Sequence, residues 1–339
     1  MISKKNVSLK AFNTLGFEAK AQSFYNIRER GDLLKALKTI RSDNQKFTVI
    51  GGGSNILLTR DVDGAVIKNS IPGKEILDET ADFVKVKFGA GENWHECVLY
   101  ALQHNWGGIE NLSLIPGTMG AAPMQNIGAY GVEICNVFVE LTALNVQTHQ
   151  WETFSNSDCS FGYRESVFKN TKKGQYIIVD VTLKLTKENH NIDCSYGAIS
   201  AVLKGEGIHK PTIQDVSNAV IQIRKSKLPD PKDIGNAGSF FKNPTIDKID
   251  YEGLKAEFTN IPGYELPEDK VKVPAAWLIE QCGWKGITKN KVGVHKNQAL
   301  VLVHYGGGTG HELWELALEI QKSVADKFGI DLRPEVNII

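Results

Sequence analysis

The stretch Asn236-Ala237-Gly238-Ser239-Phe240-Phe241-Lys242-Asn243-Pro244 places a serine between two small residues and two aromatic residues. Because the two residues before it carry almost no bulk, a ligand can approach Ser239 closely. We expect one phenylalanine ring to enter the core and the other to face a cavity. Lys242 and Asn243 bring a positive charge and a hydrogen-bonding amide within reach of the same space. The alternative is a tight turn before a buried aromatic pair, and this stretch alone favours the turn because catalytic serines are rare.

Length and composition indicate a globular protein of more than one domain. At 339 residues the chain is too long for one ordinary core, so we expect two or three domains. It is 42% hydrophobic and 23% charged, which is typical of soluble proteins. Lys plus Arg and Asp plus Glu both number 39, and no basic stripe with interleaved aromatic residues occurs. We therefore predict no nucleic-acid partner.

The sequence offers no targeting or metal-binding signal. The first ten residues lack an apolar run, and no segment has the length and apolarity of a membrane span, so we predict no membrane partner. The cysteines are scattered and never spaced as C-x-x-C, which favours free thiols in a reducing cytoplasm over a disulfide framework or a zinc site. They are Cys97, Cys135, Cys159, Cys194 and Cys282. The prediction is a cytoplasmic protein with no metal site.

A glycine-rich turn, Gly51-Gly52-Gly53-Ser54-Asn55, lies between two apparent strands. It is not the G-x-G-x-x-G fingerprint of dinucleotide-binding helices, because no helix follows it. Consecutive backbone N–H groups in such a turn form an anion-binding nest, and the missing side chains let a diphosphate come close. A bulged crossover turn is an equally good interpretation of these residues alone.

From Asn111 to Val132 the chain carries no charged residue, although glycines and prolines recur throughout. This composition argues against a long regular element and against a membrane helix. A long uncharged loop of small residues suits close contact with something flat and extended. The alternative is a buried linker, but buried loops leave backbone polar groups unsatisfied unless a partner binds them. A bound ligand is the more economical explanation.

Other candidate residues have ordinary alternatives. Arg164, in Phe161-Gly162-Tyr163-Arg164-Glu165-Ser166, could be a surface residue paired with Glu165. Arg224 and Lys227 end an amphipathic helix, where the helix dipole alone explains cations. A Pro/Gly-containing loop from 258 to 269 carries Tyr264, and a Thr309-x-x-Glu312 capping box predicts the start of the last helix.

Several short stretches, in this order along the chain, resemble the UDP-N-acetylenolpyruvoylglucosamine reductase (UDP-N-acetylmuramate dehydrogenase) family. The resemblance runs from the first domain to the last residues, and the ordered set is far more specific than any one stretch. Tyr264 is similar to the tyrosine of the family branch that folds a loop over the nucleotide. The matching stretches are Gly51-Gly52-Gly53-Ser54-Asn55, Ile115-Pro116-Gly117, Gln125-Asn126-Ile127-Gly128-Ala129-Tyr130-Gly131, Phe161-Gly162-Tyr163-Arg164, Lys227-Leu228-Pro229-Asp230-Pro231, Gly235 to Pro244, and Arg333-Pro334-Glu335-Val336.

This resemblance implies an α+β fold with mixed α/β content. A two-part FAD-binding region of the vanillyl-alcohol oxidase-like type would precede a C-terminal α+β domain that binds the substrate. The implied boundaries are 1–70 and 71–228 for the two FAD-binding subdomains and 229–325 for the UDP-sugar domain. Residues 326–339 would return from the last domain to the active site.

The implied activity is an NADPH-dependent reduction of UDP-N-acetylglucosamine enolpyruvate to UDP-N-acetylmuramate, a step of peptidoglycan precursor synthesis that supports cell-wall biogenesis, cell shape and cell division. By resemblance, Ser239 supplies a proton, while Arg164 and Glu335 stabilise the intermediate. A guanidinium fork suits the substrate carboxylate. Serine is a weak acid, so it needs donors nearby, with Lys227 or backbone N–H groups as candidates. These catalytic groups are expected to meet at one edge of the flavin.

The resemblance also implies cofactor and substrate contacts. The partners would be the small-molecule UDP-sugar and NADPH, bound by a monomer. The cofactor-binding residues implied for FAD are Gly51, Gly52, Gly53, Ser54, Asn55, Pro116, Gly117, Thr118, Ala121, Gly128 and Arg224. The substrate-binding residues implied are Tyr163, Tyr196, Lys227, Asn243, Tyr264 and Gln298.

Two other functions remain open on the sequence. A flavin oxidase could use the same cofactor scaffold, but the stretches around Ser239 and Glu335 favour the reductase. A flavin- or nucleotide-binding module without catalysis is the other possibility. The presence of Arg164 together with those two residues argues against it, and an assay decides.

Overall fold

The computed structural model describes residues 2–339, which divide into two compact units. Unit 1 comprises residues 2–7, Ala21–Gly52 and Asp63–Ser226. Unit 2 comprises Ser8–Lys20, Gly53–Val62 and Lys227–Ile339. The chain therefore passes between the units several times. The predicted three-domain division stays a prediction.

Helices and strands are mixed along the chain, with several runs of consecutive strands. The strands are β1 Ile2–Ser8, β2 Lys20–Ile27, β3 Phe47–Ile50, β4 Ile56–Leu57, β5 Val62–Asn69, β6 Lys74–Glu79, β7 Phe83–Gly89, β8 Gly128–Ala129, β9 Val132–Glu133, β10 Phe138–Asn145, β11 Trp151–Ser155, β12 Tyr176–Thr186, β13 Gly235–Ser239, β14 Thr245–Asp247, β15 Tyr264–Leu266, β16 Lys270–Lys272, β17 Thr288–Lys289, β18 Val292–Val294, β19 Val301–His304 and β20 Asn337–Ile338. The α-helices are α1 Arg30–Ser42, α2 Trp94–Gln103, α3 Asn156–Cys159, α4 Gly197–Gly205, α5 Ile213–Lys227, α6 Lys248–Glu257, α7 Ala275–Gln281 and α8 Gly310–Phe328.

Unit 1 contains two sheets that share a core. One has the order β1-β2-β5-β3, with β3 parallel to β5. The other has the order β11-β10-β12-β7-β6 and is antiparallel throughout. Side chains of α1, β2 and β5 pack with side chains of β10 and β12. The uncharged stretch forms only short 3₁₀ turns and the very short strand β8, with β9 beginning at its last residue, as its glycines and prolines predict.

Strand β7 shows how the sequence pattern positions this sheet. Val84, Val86 and Phe88 are fully buried and pack against α2, where full burial of each contributes about 1.5–3 kcal/mol. The intervening Lys85 and Lys87 face the other side and form ion pairs with acidic residues of β6. The alternation of apolar and charged residues along this strand therefore matches its buried and partly exposed faces.

Unit 2 is organised around α8 and two small sheets, β13-β19-β18-β17 and β14-β16-β15. Thr309 accepts a hydrogen bond from the Glu312 N–H, and the Glu312 carboxylate accepts one from the Thr309 N–H. The predicted capping box is therefore confirmed. Gly329 ends the helix in the left-handed conformation, with φ +65°. Strand β20 pairs in parallel with β4, so the last residues are held by the segment that follows the glycine-rich turn.

Two local expectations in unit 2 were wrong. Phe240 and Phe241 are both 1% exposed, so neither ring faces a cavity. Successive side chains of an extended segment point to opposite faces, and here the same core covers both faces. Tyr264 does not lie in an irregular loop. It begins β15, pairs with Lys272 of β16 and keeps 60% of its surface exposed.

Within residues 2–339, no helix is both long enough and apolar enough to cross a membrane.

Candidate active site

The glycine-rich turn packs directly on the loop that carries Pro116 and Gly117. A Cβ on Gly52 would lie 2.9 Å from Gly117 Cα, and a Cβ on Gly51 would lie 2.3 Å from Thr118 Oγ1. The position of Gly52 therefore needs glycine because two backbones approach each other there, whereas an added Cβ at Gly51 would meet the Thr118 side chain. Four of the predicted cofactor residues of unit 1 are thus neighbours, and Ala121 Cβ lies 3.6 Å from the same Gly51 position.

The rest of the turn lies in unit 2. Gly53 has φ +66°, and a Cβ there would meet the Phe12 carbonyl oxygen at 1.9 Å. The Asn55 side-chain N–H donates to the Glu335 carbonyl at 3.3 Å, and the Asn55 carbonyl accepts from the Asn337 N–H at 3.0 Å. Asn55 therefore holds the segment that carries the predicted catalytic Glu335.

Arg224 reaches the uncharged stretch from α5. Its Nε donates to the Leu114 carbonyl at 3.2 Å. Burial lowers the pKa of the guanidinium, and the Tyr130 hydroxyl opposes that shift. The hydrogen-bonding partners of Arg224 are the Leu114 carbonyl and the Tyr130 hydroxyl, and both are neutral. A desolvated cation with only neutral partners fits an anionic or electron-rich ligand.

The surroundings of Arg224 are aromatic and uncharged in character. Tyr130 packs edge-to-face on Tyr196 at 5.1 Å between ring centroids, and Tyr196 is 47% exposed. His95 Nδ1 accepts the Leu114 N–H at 3.0 Å, and burial lowers the pKa of His95, which favours the neutral ring. These groups, together with the tightly packed glycine loops, fit a flavin nucleotide with its diphosphate and its flat ring.

Arg164 occupies a tight turn in unit 1. Gly162 and Glu165 exchange two backbone hydrogen bonds across the turn, and Arg164 has φ +57°. Its Nη2 donates to the Gly128 carbonyl at 2.5 Å, and its Nη1 lies 3.8 Å from Glu133 Oε1. The guanidinium also lies over the Tyr163 ring at 5.3 Å.

Ser239 is exposed at the end of β13, beside a bulge in its pairing with β19. Gly238 before it has φ +70°, and its N–H donates to Asn236 Oδ1 at 3.1 Å. The buried Asn236 side chain also donates to two backbone carbonyls of the preceding segment. Asn236 and Gly238 therefore shape the turn before Ser239 together. The sequence alone gave Asn236 no role.

Unit 2 brings Ser239 and Glu335 onto one backbone ladder. The Phe240 carbonyl accepts the Glu335 N–H at 2.8 Å, and Lys242 donates its N–H to the Arg333 carbonyl at 2.9 Å. Phe241 forms a β-bridge with Pro334 between them. A hydroxyl and a carboxyl group are thus carried by directly paired segments.

The predicted substrate residues differ in their exposure and in whether their polar side-chain atoms already form hydrogen bonds within the chain. Tyr163 is 40% exposed. Asn243 Oδ1 accepts the Ala275 N–H at 3.0 Å and so caps α7, and Gln298 Oε1 accepts the Leu300 N–H at 3.3 Å. Lys227 is exposed at the end of α5.

The predicted site residues are distributed over both units. Unit 1 holds Arg164, Tyr163, Tyr196, Gly51, Gly52, Pro116, Gly117, Thr118, Ala121, Gly128 and Arg224. Unit 2 holds Ser239, Glu335, Gly53, Ser54, Asn55, Lys227, Asn243, Tyr264 and Gln298.

Metal ligands and reactive thiols are not part of this constellation. In the part of the chain that the structure describes, no group of three or more His, Cys, Asp or Glu side chains could hold a metal ion. All five cysteines are free thiols, and burial raises the pKa of Cys97 and Cys159 to about 12, so these two are inert packing residues.

Comparison with known proteins identifies first the class and then the family. A family model described as an FAD binding domain matches residues 22–152, so the chain is an FAD-binding protein of α+β architecture. A second model, described as the C-terminal domain of UDP-N-acetylenolpyruvoylglucosamine reductase, matches residues 230–339.

Relatives of the same name match almost the whole chain. UDP-N-acetylenolpyruvoylglucosamine reductase of Flavobacterium johnsoniae is 53% identical over 99% of both chains, and that of Amoebophilus asiaticus is 48% identical over 99% of both. A crystal structure of the reductase from Thermus caldophilus shares the fold with a TM-score of 0.67 at 22% identity, covering 99% of both chains. The chain belongs to the UDP-N-acetylenolpyruvoylglucosamine reductase family. The predicted family, fold class, FAD cofactor and oxidoreductase class are confirmed.

Proposed function

We propose that this chain reduces UDP-N-acetylglucosamine enolpyruvate to UDP-N-acetylmuramate, with FAD as its bound cofactor and NADPH as the reductant. The observation that carries this proposal is the backbone pairing that places a serine hydroxyl and a carboxyl group on adjacent segments, around the Phe240 carbonyl and the Glu335 N–H. Reduction of an enol ether needs a hydride at one carbon and a proton at the other, and a flavin oxidase would need no such proton donor.

The chain's own residues fit FAD. The loops of Gly51–Gly52 and Pro116–Thr118 would hold it together with Ala121, Gly128 and Arg224, and Gly53, Ser54 and Asn55 would complete the set. When bound, FAD supplies the hydride. Arg224 would offset negative or electron-rich groups of the cofactor, because its present partners are neutral.

Arg164 would bind the carboxylate of the enolpyruvyl group. Hydride addition to the terminal carbon pushes electron density toward that carboxylate, and a guanidinium stabilises the developing charge. Its side chain is already directed by Gly128 and Glu133, so little conformational entropy is lost when substrate binds.

Ser239 would donate the proton to the carbon next to the carboxylate, and Glu335 would help Arg164 to stabilise the intermediate. The exposed hydroxyl and the open space around Gly238 support access by a ligand. Because a serine alkoxide is unstable, a cation such as Lys227 or nearby N–H groups would have to stabilise it.

The remaining contacts would fix the UDP-sugar. Asn243 and Gln298 already use their amide oxygens for backbone N–H groups, so each would offer its NH₂ group to an oxygen of the substrate. Tyr163, Tyr196 and Tyr264 present exposed rings suited to sugar or base stacking.

The finer organisation belongs to the same proposal. The FAD-binding subdomains would be 1–70 and 71–228, and the UDP-sugar domain would be 229–325, with 326–339 returning to the active site. The protein would act as a monomer in the cytoplasm, where a water-soluble nucleotide sugar and NADPH are both present.

An anaerobic colour experiment tests the function. Purified protein should be yellow, NADPH should bleach it, and the enolpyruvyl UDP-sugar should restore the colour while UDP-N-acetylglucosamine, which lacks the double bond, should not. A colourless preparation would remove every flavin-based function. Bleaching without recovery on adding the enolpyruvyl substrate would favour an oxidase or a binding module.

A further inference from the structure

Two polar contacts of the Arg164 guanidinium come from one cross-strand pair. Gly128 of β8 and Glu133 of β9 are directly opposite each other in a two-stranded ladder. The Gly128 carbonyl accepts from Nη2 at 2.5 Å, and Glu133 Oε1 lies 3.8 Å from Nη1. A Cβ on Gly128 would lie 2.8 Å from Glu133 Cγ and 3.0 Å from Nη1, so the guanidinium fills the space beside the glycine.

The second carboxylate oxygen of Glu133 is held by Asn126. The Asn126 Nδ2 group donates to Glu133 Oε2 at 2.8 Å and to the Gly162 carbonyl at 3.1 Å. Its Oδ1 accepts the Cys135 N–H at 3.2 Å. Asn126 is 1% exposed and has φ +44°, a left-handed conformation that asparagine tolerates better than most residues. This one amide therefore connects the Glu133 carboxylate to the first residue of the Arg164 turn.

We infer that Glu133 and Asn126 are positioning residues that aim the Arg164 guanidinium at the substrate carboxylate. The inference rests on the proposed function, because it gives Arg164 that ligand. Glu133 orients one end of the guanidinium, and Asn126 fixes both the carboxylate and the turn. Because the amide of Asn126 and the carboxylate of Glu133 act through one shared contact, loss of either should misplace the same group.

Two ligands separate positioning from general stability. UDP-N-acetylmuramate carries a carboxylate at the relevant position, and UDP-N-acetylglucosamine does not. In Glu133→Gln the charge is lost and the side chain keeps its size, so the Kd of UDP-N-acetylmuramate should rise about tenfold while that of UDP-N-acetylglucosamine stays within twofold. Flavin bleaching by NADPH should be unchanged, and reoxidation by the enolpyruvyl substrate should slow at least tenfold.

A second variant keeps the inference testable if Glu133→Gln folds poorly. Asn126→Gly preserves the left-handed backbone and removes only the amide, and it should give the same pattern. The Kd of UDP-N-acetylmuramate should rise in the double variant by no more than about twice the larger of the two single-variant increases, because both changes remove one positioning unit. Glu152→Gln is the matched control, since its carboxylate also accepts from an asparagine and a tyrosine of unit 1. It should behave as wild type.

The outcomes distinguish this inference from the proposed function. If wild-type protein fails to turn over the enolpyruvyl substrate, the proposed function fails. If wild type is active and Glu133→Gln binds both ligands normally or binds the carboxylate ligand more tightly, Glu133 merely screens Arg164 and the inference is wrong. A rise in the Kd of UDP-N-acetylmuramate in the double variant that equals the product of the two single-variant increases would also overturn the inference.

Discussion

Replacing Gly52 by alanine tests whether close packing of two loops maintains the proposed flavin site. The added Cβ would lie 2.9 Å from Gly117 Cα and 3.3 Å from the Gly117 carbonyl carbon. Both are backbone atoms, so no side-chain rotation can relieve the overlap. Gly52 is not among the glycines with positive φ, so steric overlap sets the cost and backbone strain does not.

The magnitude follows from the contact distance. Carbon atoms pack at about 3.5–4.0 Å, so the two loops must separate by roughly 0.6–1.1 Å. Overpacking of this kind lowers the free energy of unfolding by about 1–3 kcal/mol. If FAD binds only when these loops keep their native spacing, its binding free energy must offset the cost of forcing the loops back together. We expect the Kd for FAD to rise about ten- to hundredfold, since each 1.4 kcal/mol corresponds to a factor of ten.

The assay is titration of apoprotein with FAD, followed by flavin fluorescence, together with thermal unfolding of apoprotein and holoprotein. Gly197→Ala is the matched control in unit 1, because nothing lies within 4 Å of its added Cβ and alanine suits the first turn of α4. Gly52→Ala protein that binds FAD as tightly as Gly197→Ala and wild type would refute the packing argument.

Three further predictions concern the proposed proton donor Ser239, the partly buried cation of Arg224 and the capping box. Ser239→Ala should keep flavin bleaching by NADPH near normal and slow substrate turnover by roughly three decades, and equal loss in both half-reactions would mean a structural serine. Arg224→Met should raise the Kd for FAD about tenfold or more, with partial recovery in Arg224→Lys, and unchanged titrations would exclude a cofactor contact. The Thr309 backbone N–H, and then the Thr309 side chain, form hydrogen bonds that lower the pKa of Glu312 below 4.5. The stabilisation that the Glu312 carboxylate gives to the fold is therefore present above pH 4.5 and is lost as the pH falls through the lowered pKa. Glu312→Gln should therefore lower Tm at pH 7 more than at pH 3, and an equal drop at both would contradict this assignment.

Features set by neighbouring residues could be predicted from the sequence. The alternation in β7 and the capping box of α8 depend on side chains within a few positions of each other, so composition and spacing were enough. The family resemblance extended this to residues far apart along the chain. It named Ser239 and Glu335, which the structure places on paired segments.

Features set by distant contacts could not be predicted. Phe240 and Phe241 are both buried because a core from elsewhere in unit 2 covers both faces of the segment. Tyr264 lies in a strand because β16, several residues later, supplies its hydrogen bonds. Asn236 gave no signal of its role, because its partners are backbone carbonyls, whose positions the sequence does not show.

Four residues around the candidate site hold a left-handed backbone although none of them is glycine. Leu114, Asn126, Tyr130 and Arg164 all have φ between +44° and +58°, a conformation that costs a leucine, tyrosine or arginine roughly 1–2 kcal/mol. Each must therefore be held by contacts from elsewhere. Leu114 donates its N–H to His95 and accepts from Arg224, so the residue that would bind the cofactor also holds a strained loop in place. If Arg224 binds the cofactor, strain and binding are coupled there, and removing the Arg224 side chain should loosen the loop even before any ligand is added.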